Sequence, residues 1–282
     1  MIEGVRQVIN VNKPHLSISQ LDLMSGCGER YRRRYIDKDR PPLGTALVVG
    51  KAVDNSVTHN LDYKMRTGEL LTAEEAVDIA AKSVIFEWEN VEIALNKKER
   101  EKGPEQVKGD LIDKAVRLAR LHYAEIAPFI NPTALQRKVE IEFKYLPYNL
   151  VGVIDVQEAD TVRDTKTSGK SPVVDAADTS DQLTVYALAV WVLDGRIPAR
   201  LTLDYLVDTK TPKTVIRETV RNEADFHPLM ARIESAIKAI ENEVFVPCKQ
   251  GSYPCTSGGC EYYDTCKFVR QMNFFIPGNG DD

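Results

Sequence analysis

No apolar run in this chain of 282 residues approaches the length of a membrane-spanning helix, so the sequence offers no helical membrane span. Positive charge is not in excess either. The formal net charge of −5 excludes a uniformly basic coat, although a local basic surface can still meet phosphate. The first fifteen residues are mixed and polar and lack the pattern of a secretory signal, so the chain is expected to be cytoplasmic, or phage-encoded and acting in a host cytoplasm. In such a compartment its five cysteines are not expected to form a disulfide scaffold. They also lack two tight Cys-x-x-Cys knuckles, which removes the ordinary zinc finger or ribbon. Internal repeats and low-complexity tracts are absent. With 43% hydrophobic residues, the chain can bury a substantial core as one domain, or as one domain with a helical insertion.

Helical signals dominate the first part. Ser17 or Ser19 would cap a first helix carrying Cys27 and Tyr31-Arg32-Arg33-Arg34-Tyr35. Arginines between tyrosines suit phosphate contact and base stacking, and equally suit a solvated helix end. Pro41-Pro42 breaks the chain ahead of a second helix over 43–65. Thr72 with Glu75 is a capping-box signature for a third helix running towards Lys98. The charged stretch 96–109 is expected to be a loop or frayed connection before a fourth helix over 110–125. His122 on that helix fits a half-buried helix residue better than a ligand.

Strand signals then take over. Over 137–145, Val139, Ile141 and Phe143 alternate with Lys138, Glu140 and Glu142; either glutamate would be an outer carboxylate or simply the polar face of the strand. Strands are also expected over 151–156, 161–167, 200–207 and 213–220, with an apolar helix over 183–193 between the third and fourth of these five strands. A last helix over 225–243 leads to a cysteine-rich tail, and residues 277–282 are expected to fray.

The segment from Gly152 to Lys166 carries the most chemistry. Two strands joined by Glu158-Ala159-Asp160 would bring Asp155 beside Asp164, while Asp164 and Lys166, two apart, leave one face together. Two carboxylates held close repel each other unless a cation sits between them, and a hard divalent ion bound by oxygens relieves that repulsion. The lysine would then orient water or stabilise charge on a phosphate. On the following helix Gln182 and Tyr186 are four apart and share a face. Taken alone, each piece also fits a bland strand edge or helix start.

Together, Gly152-x-x-Asp155, Asp164-x-Lys166 and Gln182-x-x-x-Tyr186 resemble the PD-(D/E)XK nuclease superfamily, and more narrowly its RecB-like branch of CRISPR-associated and phage exonucleases. The resemblance covers most of the chain. It implies an α/β fold: a restriction-endonuclease-like core with a mixed central sheet flanked by helices. It also implies one nuclease domain over 1–282, with a mainly helical portion over 1–130, the core over 137–243 and the tail over 244–282 joined to Cys27. Asp155, Asp164 and the carbonyl of Thr165 would hold Mg²⁺ or Mn²⁺, Lys166 would position the nucleophile, and Gln182 and Tyr186 would support the site or touch the DNA backbone. The family's upstream Gly-x-x-x-His motif appears here as Gly50-Lys51-Ala52-Val53-Asp54, so an aspartate stands where the histidine would ligate. An aspartate still ligates such ions through oxygen, or marks a weakened enzyme. His59 lies five residues on, roughly 500° around the helix, and off the face of Asp54.

The cysteines are a separate line of reasoning. Cys255, Cys260 and Cys266 lie close together beside glycines and a proline, while Cys27 stands far upstream and Cys248 just before the group. Thiolate ligation of a metal or cluster accounts for them better than unligated buried thiols do. Zinc and an iron–sulfur cluster both accept four cysteines. The one-plus-three arrangement resembles the 4Fe-4S site of RecB-like nucleases, which implies Cys27, Cys255, Cys260 and Cys266 as ligands, with Cys248 spare or standing in for Cys255. The expected activity is metal-dependent DNA exonuclease action, preferring single-stranded ends. The alternatives are a catalytically weakened DNA-binding protein of the same fold, and a redox or zinc module beside incidental carboxylates.

Overall fold

In the computed structural model, the structure describes residues 5–6 and 13–269. In chain order the elements begin with β1 (Val5–Arg6), β2 (His15–Ser17), α1 (Ile18–Gly26), α2 (Gly28–Tyr31), β3 (Leu43–Gly44) and α3 (Thr45–Thr67). Next come α4 (Ala73–Asn90), β4 (Ile93–Ala94), α5 (Lys97–Lys102), α6 (Pro104–Glu125), β5 (Ala134–Phe143) and β6 (Asn149–Gln157). The chain ends through β7 (Thr161–Ser168), α7 (Asp181–Asp194), β8 (Arg200–Val207), β9 (Lys213–Thr219) and α8 (Glu223–Glu241). Contacts divide the chain into two units: Met1–Leu21 with Pro42–Ile237, and Asp22–Pro41 with Lys238–Asp282.

The first unit is α/β. Among the described residues its main sheet has seven strands in the order β1-β5-β6-β7-β8-β9, with β2 added to β6. The sheet is mixed, because β7 pairs with β8 in parallel while β5–β6, β6–β7 and β8–β9 are antiparallel. The alternation along β5 buries Val139, Ile141 and Phe143. Helices α3, α4 and α6 form a shared apolar core through Val53, Val57, Val84 and Leu118, joined by Val156 and Leu206 from the sheet. Helix α7 is buried through every residue from Leu183 to Val190, as expected of a helix apolar on all sides.

Local capping fixes several boundaries. Thr72 accepts from Glu75 N at 3.2 Å while Glu75 accepts from Thr72 N at 2.9 Å, closing the expected capping box of α4. That helix stops at Asn90 rather than reaching Lys98. The stretch 96–109 is not a loop: Asn96 and Glu99 form a second capping box for α5, and α6 already starts at Pro104. High charge at solvent-facing helical positions is a poor guide to a loop when a cap residue stands ahead of it.

In the second unit the first helix does not run on to Tyr35. It is interrupted at Cys27, whose backbone is extended, and Arg32–Ile36 form a wider π-type turn. Gly28 lies so close to the chain at Val246 that a Cβ would sit 2.6 Å from the Val246 nitrogen. The arginines of this segment are paired within the unit: Arg32 with Glu29 and Asp37, Arg33 with Asp39, and Arg34 with Glu261. Arg33 also lies over the ring of Tyr262, 4.2 Å from its centroid. Those pairings fill the guanidinium groups structurally, which favours the solvated-helix-end reading over a nucleic-acid grip. The expected frayed end at 277–282 lies outside the described residues.

Candidate active site

Strands β6 and β7 pair only through Val156↔Arg163 and Gln157↔Val162. The next pair in that register would be Asp155 with Asp164, and there the ladder ends. The start of β6 takes β2 as its neighbour instead, through Asn149, Leu150 and Val151. The sheet therefore forks, and the two carboxylates face the fork. Asp164 is almost fully buried. Burial and the Asp164 charge push Asp155 up to about 8, and the two carboxyls share a hydrogen bond. Asp54 of α3 faces the same charges: burial first, then Asp164, raise it above the usual carboxylate range. The aspartate standing in the place of the histidine thus feels the charge of the other two acids. His59 is exposed, with its ring Nδ1 2.8 Å from the Asn55 carbonyl oxygen.

One cation answers these three acids. Lys166 Nζ lies 2.6 Å from Asp164 Oδ2. It also donates to Gln182 Oε1 at 2.7 Å, and Gln182 Nε2 donates to the Tyr186 hydroxyl at 2.7 Å. Tyr186 in turn donates to the carbonyl of Val153 on β6. The four-residue spacing on α7 thus builds a chain of hydrogen bonds that ties Lys166 back to the fork. Tyr186 is only 2% exposed, its hydroxyl held inside between Gln182 and the Val153 carbonyl.

An open cleft of about 390 Å³ lies beside the site, lined by Leu47, Gly50 and Val53 of α3 and by Thr165, Lys166 and Thr167 of β7. A Cβ at Gly50 would sit 3.6 Å from Thr167 Oγ1, an ordinary contact, so α3 runs beside the strand without needing a glycine there. Glu140 and Glu142 do not join this group. Glu140 is engaged by Asn149 at 2.7 Å and Glu142 by Lys13 at 3.0 Å.

The chemistry of the donor set fits a hard divalent ion. Among the described residues no three His, Cys, Asp or Glu side chains are gathered as a ready-made metal cage. Yet Asp164 Oδ2 is buried without a well-directed hydrogen bond, although the Lys166 ammonium stands beside it. Three acids against one lysine leave an excess of negative charge that an oxygen-bound cation would relieve.

A profile of the PD-(D/E)XK nuclease superfamily matches residues 15–267. The chain belongs to this superfamily. A comparison with curated proteins gives no match. Among solved structures, an Eubacterium rectale protein described as a "putative exonuclease" is similar at 15% identity and a TM-score of 0.50, over 88% of this chain and 92% of that one. At that identity the likeness speaks for the fold alone, and it agrees with the forked mixed sheet. Members of the superfamily are nucleases that act on DNA and generally use Mg²⁺ or Mn²⁺, and Asp155, Asp164 and Lys166 of this PD-(D/E)XK protein stand at its fork.

Two residues of the neighbourhood carried no motif. Tyr205 on β8 is the register partner of Lys166, and its hydroxyl feels Lys166, Asp164 and Arg217. Gln136 on β5 reaches Asp54 from the other side. Tyr205 could have been found by pairing the two parallel strands, whereas Gln136 lies just ahead of the strand expected from the alternation.

In the second unit all five cysteines line one small cavity of about 20 Å³, with Pro247, Pro254 and Tyr263. Cys248 is not remote from the others: its N–H donates to Cys27 Sγ at 3.4 Å. Burial, then its hydrogen bond with Cys27, pushes the Cys248 thiol up to about 12.

Proposed function

We propose that this protein is a metal-dependent DNA exonuclease that hydrolyses phosphodiester bonds at single-stranded ends. The observation that carries the reading is the buried Asp155–Asp164 pair at the sheet fork, within the electrostatic reach of Asp54, with Lys166 held beside Asp164 by Gln182 and Tyr186. Asp54, Asp155, Asp164 and the Thr165 carbonyl would hold Mg²⁺ or Mn²⁺. When bound, the ion supplies Lewis-acid stabilisation of charge building on the phosphate and eases deprotonation of the attacking water. Lys166 orients that water and offers a second positive charge to the phosphoryl oxygens. Gln182 accepts from the ammonium, and Tyr186 holds Gln182, so the lysine is kept at one place and angle. The preference for single strands rests on the tyrosine–arginine segment 31–35 alone, and the pairing of its arginines within the unit weighs against it.

The thiol unit would hold a metal through Cys27, Cys255, Cys260 and Cys266. The resemblance favours a 4Fe-4S cluster, with the Cys248 N–H tuning the Cys27 sulfur. Zinc is the other group that four cysteines accept. Iron, acid-labile sulfide and zinc measured on anaerobically purified protein separate these two readings. A structural role in the cytoplasmic enzyme is assigned to either.

The deciding experiment is digestion of end-labelled single- and double-stranded DNA with Mg²⁺ or Mn²⁺, beside an Asp164→Ala control. Progressive shortening from an end, absent in the control, supports the exonuclease. Binding without cleavage by folded, metal-loaded protein makes Asp54 the mark of a lost activity and leaves a DNA-binding relative.

A further inference from the structure

Gln136 has a backbone that its strand does not explain. Its φ is +46°, and among the described residues it is the only non-glycine with positive φ inside a strand; the others, Lys38 and Glu243, lie outside strands. Side chains other than glycine avoid this region because Cβ crowds the neighbouring peptide. The pairing of β5 with β6 runs through Leu135↔Val156 and Arg137↔Ile154 but omits the intervening Gln136 and Asp155. The departure therefore lies directly opposite one of the fork acids. Such local strain persists where the surroundings hold it, and it concentrates at functional sites.

The distortion coincides with a specific set of contacts. Gln136 Nε2 donates to Asp54 Oδ1 at 3.3 Å and to Thr58 Oγ1 at 3.1 Å, with Asp54 Oδ2 at 3.5 Å. Asp54 and Thr58 are four residues apart on α3 and share a face. One amide group thus spans from the sheet to the helix that carries the third acid. An aspartate is a short side chain, and one held from a strand keeps its remaining lone pairs in a fixed direction.

We propose that Gln136 is a positioning residue that aims the Asp54 carboxylate at the divalent-metal site. This rests on the nuclease reading, in which Asp54 is a ligand. Glycine suits a φ of +46°, so Gln136→Gly removes the amide without straining the chain and serves as the test.

The measurement is Mn²⁺ affinity by calorimetry on the full chain without DNA, together with the thermal midpoint of the metal-free protein. Gln136→Gly is expected to keep or raise the midpoint and to weaken Mn²⁺ by about tenfold or more, the usual scale for residues behind a ligand. In an Asp54→Asn background the same substitution is expected to change the affinity by less than about twofold, because its effect passes through Asp54. Wild-type affinity in Gln136→Gly, or an equal loss in both backgrounds, overturns the proposal. If Asp164→Ala abolishes Mn²⁺ binding while Gln136→Gly does not, the nuclease site stands and only this inference falls. If the wild-type chain binds no Mn²⁺, both fall.

Discussion

The two faces of β7 carry buried charge in two different ways. One face holds Asp164 and Lys166. The other holds Arg163, which donates to Glu158 at 2.7 Å and to Asp204 at 3.0 Å. Glu158 also accepts from the Asn131 N–H at 2.9 Å, so this second group is closed by hydrogen bonds. Next to it His122 is buried and its Nε2 has no partner. Burial alone does not separate the two faces, since Asp164 and Asp204 are both essentially inaccessible. What differs is balance. The Arg163 side supplies a donor for each acid, whereas Asp54, Asp155 and Asp164 share one ammonium. A buried charge with its partners is a structural device, and a buried charge short of positive partners is a candidate binding site.

The same substitution on the two faces should therefore give opposite results. Asp164→Ala is expected to lower cleavage by on the order of a thousandfold or more, since it removes a ligand and the partner of Lys166. It should change the metal-free thermal midpoint little, because burial of the Asp164 charge offsets its pairing, and Lys166 keeps Gln182 as an acceptor. Asp204→Ala leaves Arg163 buried beside a missing partner, at a cost of about 3–5 kcal/mol. Denaturant titration should show that loss, while the folded fraction cleaves at the wild-type rate. If Asp164→Ala destabilises as much as Asp204→Ala, the two faces are both structural and the contrast is void.

Titration offers a finer contrast. In chelated protein Asp155 is pushed up to about 8 from its ordinary 3.8, so between those values the native state holds a proton that the unfolded state lacks. Stability then rises as pH falls from about 8, by up to about 1.4 kcal/mol per unit. His122 works the other way. Burial lowers it to about 3 from 6.5, so the unfolded state takes the proton first and stability is lost as pH falls from 6.5 towards 3. Midpoints measured across this range should show a rise from pH 8 to 6.5 that Asp155→Asn abolishes. Below pH 6.5, His122→Leu should hold its stability better than wild type. A rise from pH 8 to 6.5 that survives Asp155→Asn would mean that Asp155 is not the group holding the extra proton in the native state.

The fork was largely legible in the residues, because its chemistry is local. Asp155, the short link 158–160, Asp164 and Lys166 follow from strand period and a tight turn, and Gln182 with Tyr186 from helical spacing. The closed face of β7 was not legible, since Arg163 meets Asp204 only through a parallel pairing that spans a whole helix. Gln136 escaped for a different reason: a glutamine in the left-handed region has no sequence signature, whereas a glycine there would have marked the bend. The stretch 96–109 folds as helix rather than loop because a cap at Asn96 starts a helix whose charges face solvent. In the thiol unit the nearness of Cys248 to Cys27 depends on the chain folding back at Val246, which spacing alone does not fix.

The smallest expected effect lies at the far end of the Lys166 chain. Tyr186→Phe removes a hydroxyl that accepts from Gln182 and donates to the Val153 carbonyl, while keeping the buried ring. The amide of Gln182 then loses its anchor, and Lys166 samples more orientations. The cost should appear as about a tenfold fall in kcat with KM little changed, because the lysine acts on the reacting water and not on strand binding. Stability should fall by about 1–3 kcal/mol, the penalty for leaving the Val153 carbonyl buried without its donor. A Gln182→Ala variant should lower kcat to a similar degree, and the double variant should lose little more, since both act through one ammonium. Independent, additive losses would show instead that the two residues act separately and that the hydrogen-bonded chain from β6 through α7 does not govern the lysine.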